Sequence, residues 1–189
     1  MRSKPKKIDS NSCFLTGKKI VLRPLKKSDR KNTIKWRNDS EIRDAQLGFP
    51  LPVTEKMEEK WFDRSLSGDK GLVCLAIESG KTKSPIGYIQ LSDINWVWRT
   101  ARLGITIGEK EMQERGFGTE AMKLFLSYCF TTLNLRRIWL EVVITNDRAL
   151  ALYKRIGFKK EGTFRKHVFV KGKYQDLVLL GILKKEFKT

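Results

Sequence analysis

The pattern of apolar and polar residues along the chain predicts a fold that mixes strands and helices. Residues 15–24 alternate as a half-buried strand does and end at a proline. A first helix is predicted from Asp29 to about Asn38, and a second helix begins after the capping residue Thr54. The loop between them is predicted at residues 48–52, which contain one glycine and two prolines.

The rest of the chain predicts most of a sheet. Its strands are expected at residues 72–78, 86–93, 101–109, 137–144, 158–170 and 174–183. The strongest helical period starts at Gly116 and ends near Thr132, and a short helix runs from Arg148 to Ile156, where Gly157 stops it. The order of elements therefore predicts one mixed sheet covered by helices.

The length of 189 residues fits one domain that buries its own core. Residues 1–14 are basic and polar, so we expect a disordered tail followed by a single domain over residues 15–189. No stretch approaches the roughly 20 apolar residues of a membrane-spanning helix, and the beginning of the chain lacks the apolar run of a secretory signal. We therefore expect a cytoplasmic protein without membrane contact.

The chain has three cysteines, Cys13, Cys74 and Cys129, without a CxxC pair, and one histidine. An odd number of cysteines and the scarcity of other ligands predict reduced thiols and no metal site. Cys74 and Cys129 fall in apolar patterns and are expected to pack in the core.

A glycine-containing loop stands where the strongest predicted helix begins. The first N–H groups of a helix have no internal partner, and Gly116 and Gly118 would let an anion approach them closely. Arg115 adds a positive charge, and the Thr119 hydroxyl could bind a phosphate oxygen. The glycines are not followed by the Lys-Ser or Lys-Thr pair of a P-loop, and the third glycine of a dinucleotide-binding fold is missing. The P-loop and dinucleotide-binding classes are therefore excluded.

Two longer motifs give the loop a family context. Gln113 to Gly118 resembles the Q/R-x-x-G-x-G/A pyrophosphate motif of the GNAT acetyltransferase superfamily, in the expected place between a strand and a helix. Asn146 to Phe158 resembles the N-x-x-A-x-x-L-Y-x-x-x-G-F stretch of the same family. The segments at residues 22–25, 36–39 and 172–176 resemble the branch that contains ribosomal-protein alanine acetyltransferases and diamine acetyltransferases.

The resemblance spans about Ile20 to Leu183. It implies an α/β (mixed α+β) fold of the GNAT type, with a central, mostly antiparallel mixed sheet of about seven strands flanked by four helices. It also implies acetyl-CoA as co-substrate and direct attack of an amine on the thioester, without a covalent enzyme intermediate. The residues implied to bind the cofactor are Ile105, Thr106, Ile107, Gln113, Arg115, Gly116, Phe117, Gly118, Thr119, Asn146 and Tyr153.

The catalytic candidates are one tyrosine and two glutamates. Tyr153 matches the family tyrosine near the thioester sulfur, where a phenol can give a proton to the departing thiolate; otherwise it is a helix tyrosine packed on the sheet. Glu109 or Glu141, at strands flanking the site, is expected to take the proton of the amine directly or through water. Strand parity puts Glu141 on one face with Trp139 and Val143 and slightly favours it, although either glutamate could be an ordinary ion-paired residue.

The acceptor is expected to be a primary amine of a small molecule, such as a polyamine, an amino sugar or an amino-acid derivative. We expect it to bind between the first helices and the last hairpin. Acetylation of a protein N-terminus is one alternative, and a non-catalytic protein that binds CoA or RNA is another. Whether the chain forms a homodimer stays open.

The charge bears on these alternatives. The chain has 39 lysines and arginines against 21 aspartates and glutamates, a formal charge of +18. This excess permits contact with nucleic acid or the ribosome, or is simply a solvated basic surface, and it argues mildly against a polycationic acceptor. An acidic cluster near the first helices, Glu55, Glu58 and Glu59, is expected to be a solvated face.

Overall fold

The structure is a computed structural model that describes residues 13–47, 51–68, 70–80 and 84–188. Most of the predicted tail and the first three residues of the predicted loop at 48–52 lie outside these ranges. The elements follow the order β1 (Leu15–Thr16), β2 (Ile20–Pro24), α1 (Arg30–Asn38), α2 (Ser40–Ala45), α3 (Glu55–Leu66), β3 (Val73–Ser79), β4 (Pro85–Asn95), β5 (Thr100–Ile107), α4 (Phe117–Thr131), β6 (Arg137–Val143), α5 (Asp147–Ile156), β7 (Lys159–Val170) and β8 (Lys173–Leu183).

The strands in the described ranges form one eight-stranded sheet in the order β1-β2-β3-β4-β5-β6-β8-β7. Neighbouring strands are antiparallel except for β5 and β6, which are parallel. The predicted mixed α+β fold with a central, mostly antiparallel sheet is therefore confirmed.

The sheet has one strand more than the expected seven because residues 15–24 do not form a single strand. The chain turns after Gly17, whose N–H donates to the carbonyl of Ile20 at 2.9 Å. Leu15 then pairs with Leu22 in an antiparallel hairpin. A two-residue strand beside a turn has too little alternating pattern to be separated from its neighbour by sequence alone.

The described ranges also hold five α-helices where four were expected, because the chain breaks at Asp39. This residue is extended, with ψ of 122°, and so ends α1. Its carboxylate accepts hydrogen bonds from the N–H groups of Glu41 at 3.0 Å and Ile42 at 3.2 Å. Such a side-chain cap satisfies N–H groups that a helix start leaves unpaired, and α2 begins there as a separate helix.

Two apolar cores lie on opposite faces of the sheet. In β3, Leu75 and Ile77 belong to the larger core, whereas the alternate residues Cys74 and Ala76 belong to the smaller one. Helices α4 and α5 cover the larger core, and α1, α2 and α3 cover the smaller core around the fully buried Trp36. The sheet thus separates a face covered by α4 and α5 from a face covered by the first three helices.

A buried carboxylate links α1 to α3. Glu58 is 0% exposed and accepts hydrogen bonds from the Thr33 hydroxyl at 2.5 Å and from Arg37 Nη1 at 2.6 Å. The expectation that Glu58 belongs to a solvated face is therefore wrong, because its partners on α1 lie inside the helix interface. Only its neighbours Glu55 and Glu59 are exposed.

The described helices include none that is long and apolar enough to cross a membrane. Cys13, Cys74 and Cys129 form no disulfide among the described residues, and burial raises the pKa of the Cys74 and Cys129 thiols. A raised pKa keeps a thiol protonated and weakly nucleophilic at neutral pH. Within the described ranges, no group of three or more His, Cys, Asp and Glu side chains is arranged to hold a metal ion.

Candidate active site

The sheet opens between its two parallel neighbours. Strands β5 and β6 pair only over Thr100–Arg102 and Arg137–Trp139. Beyond these residues β5 continues to Ile107 and β6 to Val143 without pairing to each other. Their outer edges are occupied by β4 and β8. Two unpaired backbone edges therefore face each other, and backbone N–H and C=O groups in such a place need hydrogen-bond partners.

A cavity of about 590 Å³ lies at this opening. Its walls come from the ends of β5 and β6, the loop before α4, helix α5, and helix α2 with the residue that follows it. All the predicted cofactor-binding residues line it except Arg115 and Phe117. The Arg115 guanidinium lies 3.4 Å from the carbonyl of Glu111, and the Phe117 side chain packs against the larger core. The structure thus brings the two predicted motifs to one cavity.

The loop before α4 presents backbone N–H groups to the cavity. Gly116 precedes the helix with φ of 84°, a left-handed conformation that glycine adopts without steric cost. The N–H groups of the next three residues begin a 15-residue helix and have no acceptor within it. Gly116, Gly118 and Thr119 line the cavity. Unpaired N–H groups and the positive end of the helix dipole together favour an anion at this position.

Gln113 holds the loop in place. Its Nε2 donates to the carbonyl of Ile107 at 2.8 Å, and its Oε1 accepts from Arg148 Nη1 at 2.6 Å. The side chain therefore connects the end of β5 to the start of α5. By fixing both neighbours of the loop, Gln113 keeps the N-terminus of α4 directed at the opening of the sheet.

Gly118 forms part of the cavity floor. A Cβ atom at this position would lie 3.6 Å from Cγ1 of Ile107 and 3.9 Å from Cδ2 of Leu152, which are ordinary contact distances. An alanine side chain would therefore fit, whereas the branches of a larger side chain would enter the space beside the helix N-terminus.

Helix α5 supplies the opposite wall. Asn146 Oδ1 accepts the N–H of Ala149 at 3.1 Å and caps the helix, as its position predicts. Tyr153, two turns further along, is half-buried, lines the cavity and packs against Phe158 with 5.7 Å between ring centroids. In the described part of the chain no group hydrogen bonds to its hydroxyl, and burial raises the pKa of Tyr153 to about 12. The phenol is therefore protonated at neutral pH, and no side chain or backbone group of the described residues occupies it.

The two candidate bases lie in different places. Glu141 lines the cavity, and its Oε2 accepts from Arg102 Nη2 at 2.7 Å. Glu109 does not line the cavity; its Oε1 accepts from Trp36 Nε1 at 3.0 Å and its Oε2 from Lys35 Nζ at 3.3 Å. Both oxygens of Glu109 are thus occupied by α1, whereas Glu141 keeps one oxygen without a protein donor in the described ranges.

The family of this protein follows from its similarity to a known protein domain. Residues 19–159, most of the chain, match the model of the acetyltransferase (GNAT) domain. The chain belongs to the GNAT acetyltransferase family. It is an N-acetyltransferase that uses acetyl-CoA as its co-substrate.

Several relatives of this acetyltransferase resemble it over most of their length. The spermidine N(1)-acetyltransferase of Vibrio cholerae is 30% identical over 168 residues, which cover 89% of this chain and 95% of the relative. A crystal structure of the Vibrio cholerae spermidine N-acetyltransferase with CoA and spermine superposes with a TM-score of 0.83 at 29% identity, covering 90% of this chain and 98% of that one. The Bacillus subtilis protein YdaF, named as a candidate ribosomal N-acetyltransferase, is 34% identical over 102 residues, 54% of this chain and 55% of its own.

The residues of the acetyltransferase fit an acyl-CoA. The unpaired edges of β5 and β6 offer hydrogen bonds to an extended, amide-containing arm, and the unpaired N–H groups at the start of α4 offer hydrogen bonds to a pyrophosphate. The missing side chain of Gly118 leaves space beside these N–H groups. The Tyr153 phenol lies on the same cavity and can donate a hydrogen bond to a sulfur atom.

The structure also reveals site residues of the acetyltransferase that sequence reasoning missed. Glu41, Ile42, Ala45 and Gln46 bring α2 to the cavity on the face opposite α4 and α5. The N-capping signal at Asp39, followed by Ser40, Glu41 and an apolar residue, could have revealed this helix.

Four basic residues also line the cavity and were not predicted from the sequence. The missed basic lining residues are Lys110, Arg148, Arg155 and Lys171. They lie outside the family motifs or at their variable positions, and nothing in their spacing distinguishes them from the many other lysines and arginines of the chain. Only the fold brings them to the cavity.

Proposed function

We propose that this acetyltransferase moves the acetyl group of acetyl-CoA directly to a primary amine of a small molecule, with polyamines such as spermidine as the first acceptor class to test. The observation that carries the proposal is the opening between β5 and β6, which α4 and α5 border on one face of the sheet and α2 borders on the other. A thioester held in that opening would be reachable by an amine from the α2 face. The chain matches two spermidine N(1)-acetyltransferases over 95% and 88% of their length, at 30% and 27% identity. This similarity supports polyamines as the acceptor class.

The proposed cofactor contacts divide between backbone and side chains. The N–H groups after Gly116 would bind the pyrophosphate, supported by their lack of helical partners. The open edge at residues 105–107 would bind the amide-bearing arm, supported by the absence of pairing to β6. Gln113 and Asn146 would contribute by holding the loop and α5 in position.

Tyr153 is the proposed acid. When the amine nitrogen bonds to the thioester carbon and the carbon–sulfur bond breaks, the departing thiolate needs a hydrogen-bond donor and a proton. The phenol lies on the cavity, and its raised pKa of about 12 keeps it protonated throughout the neutral range. Its freedom from protein partners in the described ranges supports this role.

Glu141 is the proposed base, and Glu109 is the alternative. A carboxylate on the cavity wall can take the proton that the attacking amine loses, directly or through water. Glu141 stands on that wall, and Arg102 fixes its orientation. We expect Glu141→Gln to lower kcat by about 100-fold, within the usual range for general base catalysis, and Glu109→Gln to change it less. A larger loss with Glu109→Gln would exchange the two roles.

Acetylation of a protein N-terminus is the second candidate function. The formal charge of +18 disfavours a polycationic acceptor and suits an enzyme that works near an anionic particle such as the ribosome. The similarity to YdaF over about half the chain supports the same direction. Contact with nucleic acid or the ribosome would then be weakened by salt.

Release of free CoA thiol from acetyl-CoA tests these functions. The purified protein is mixed with polyamines, amino sugars, amino acids and basic N-terminal peptides, and acetyl-CoA binding is measured by calorimetry. We expect turnover with a polyamine. Turnover with peptides alone would select the second candidate, and neither turnover nor binding would overturn the proposed function in favour of a non-catalytic protein.

We also propose that the chain forms a homo-oligomer in the cytoplasm. A Vibrio cholerae spermidine N-acetyltransferase has a dodecameric structure, which supports assembly. The described cysteines form no disulfide with one another, which supports a reducing compartment. Light scattering after size-exclusion chromatography tests the first part, and a mass of about 22 kDa would reject it.

A further inference from the structure

We propose that Gln46 is a positioning residue that holds α2, the acceptor-side wall of the cavity, against the open strand β5. The inference rests on the proposed transfer of an acetyl group to an amine. Gln46 immediately follows α2 and lines the cavity. Nothing in the two family motifs points to it.

Gln46 joins α2 to two strands through one carboxamide. Its Nε2 donates to Oγ1 of Thr106 on β5, and its Oε1 accepts from the Tyr88 hydroxyl of β4 at 3.2 Å. Thr106 is 4% exposed and Tyr88 is 7% exposed. Both links are therefore largely shielded from water, where a hydrogen bond that loses one partner leaves an unpaired polar group.

Helix α2 needs such links because it is only six residues long. A helix of this length does not form alone, so its position depends on tertiary contacts. At its N-terminal end, Lys110 Nζ contacts Asp39 at 3.0 Å and Glu41 at 2.7 Å, but the Lys110 side chain is 52% exposed. Exposed ion pairs contribute little, so we expect the packing of Ile42 in the smaller core and the hydrogen bonds of Gln46 to contribute more to the position of the helix.

The position of Thr106 makes this link relevant to the reaction. Thr106 lies on the unpaired part of β5, and its side chain reaches the α2 face. Its neighbours Ile105 and Ile107 pack on the other face, against the larger core. Gln46 therefore sets the distance between the acceptor wall and the strand edge at which the acetyl group is proposed to lie. Loss of the link should weaken binding of the amine more than binding of acetyl-CoA.

Steady-state kinetics with the full chain test this inference. We expect Gln46→Leu, which removes both hydrogen bonds of the carboxamide, to raise the KM of the best amine about tenfold, with an unchanged calorimetric Kd for acetyl-CoA. Gln46→Glu should keep the wild-type KM within about threefold, because the Tyr88 and Thr106 hydroxyls can both donate to a carboxylate. Asp44→Asn, on the same helix but away from the cavity, is the matched control and should match the wild type.

A double-mutant cycle separates the link from general destabilisation. Tyr88→Phe should raise the amine KM about threefold alone and add little to Gln46→Leu, since the two residues share one link. This variant also tests the link if Gln46→Leu folds poorly. An unchanged amine KM in both variants, or equal losses of amine and acetyl-CoA affinity, would overturn the inference. If wild-type protein acetylates no amine at all, the proposed function itself has failed.

Discussion

At the scale of single residues, Tyr153 joins a packing role with a chemical one. Its ring contacts Phe158, two residues beyond the end of α5, and the residue lines the cavity. Packing fixes the ring, and the same burial that raises the pKa of the phenol keeps the proton available. A residue in this setting can be tested by removing one oxygen atom and leaving the ring.

Tyr153→Phe is expected to lower kcat about 100-fold, because the departing thiolate loses its hydrogen-bond donor. The Kd for acetyl-CoA should stay close to the wild-type value, since phenylalanine preserves the ring contact. Stopped assays of CoA thiol release and calorimetry measure the two quantities. Wild-type turnover in this variant would remove Tyr153 as the acid.

Gly118→Val tests the proposed binding of pyrophosphate at the loop before α4. Its branched side chain would occupy space beside the helix N-terminus and displace the pyrophosphate from hydrogen bonds worth about 1.5 kcal/mol or more each. We therefore expect the acetyl-CoA Kd to rise by at least about tenfold. Gly118→Ala, which fits the floor at ordinary contact distances, is the milder control. Equal calorimetric affinities for wild type and valine variant would contradict this placement.

At the scale of elements, the first three helices are held by polar links as well as by the smaller core. Glu58 connects α3 to α1, and Gln46 connects the end of α2 to the sheet. These links are what place α2 at the cavity. Stability and acceptor binding are therefore expected to depend on the same helices.

Glu58→Ala is expected to lower the free energy of unfolding by about 2 kcal/mol, because Thr33 and Arg37 lose a charged acceptor in a buried interface. Glu59→Ala, one residue away, removes only an exposed pair with Arg30 at 3.4 Å and should cost less than about 0.5 kcal/mol. Urea unfolding of both variants measures the difference. Equal losses of unfolding free energy would show that the buried hydrogen bonds of Glu58 stabilise the fold no more than the exposed ion pair of Glu59 does.

The elements also explain which parts of the molecule sequence reasoning could predict. The loop before α4 and helix α5 carry their signals locally, in Gly116, Gly118, Asn146 and Gly157, so both were predicted with their boundaries nearly right. The burial of Glu58 depends on a partner helix more than 20 residues away along the chain, and no local pattern contains that information.

The same limit applies to the cavity. Both candidate glutamates were expected at strands flanking the site and look alike in sequence, yet of the two the folded structure brings only Glu141 to the cavity wall. Helix α2 was missed because six residues give less than two turns of periodicity. Residues that act through distant partners can be assigned only after the chain is folded.

At the scale of the whole molecule, buried acids that must stay protonated limit stability at alkaline pH. Tyr88 is largely buried, and burial raises its pKa from 10.0 to about 12. The unfolded chain releases this proton near pH 10, while the folded chain retains it. The folded state then binds more protons than the unfolded state, so the free energy of unfolding falls as the pH rises from about 10 to about 12.

Tyr88→Phe isolates this effect from the titration of the many lysines. Relative to the variant, the wild type should lose about 1 kcal/mol of unfolding free energy between pH 9 and pH 11. Urea unfolding of both proteins at these two pH values gives the difference, in which the shared lysine contribution cancels. A difference that does not change with pH would contradict the raised pKa.

The short pairing between β5 and β6 has a consequence for the sheet as a mechanical object. Only three residues on each strand pair β5 with β6, so the backbone pairing between the block β1–β5 and the block β6–β8 is short. We expect a co-substrate arm seated between the open edges to take the place of a missing strand and to join the two blocks. Acetyl-CoA would then be a structural brace as well as a donor. Its binding should slow amide hydrogen exchange at residues 103–107 and 140–143, and each catalytic cycle would loosen and restore the enzyme's own framework.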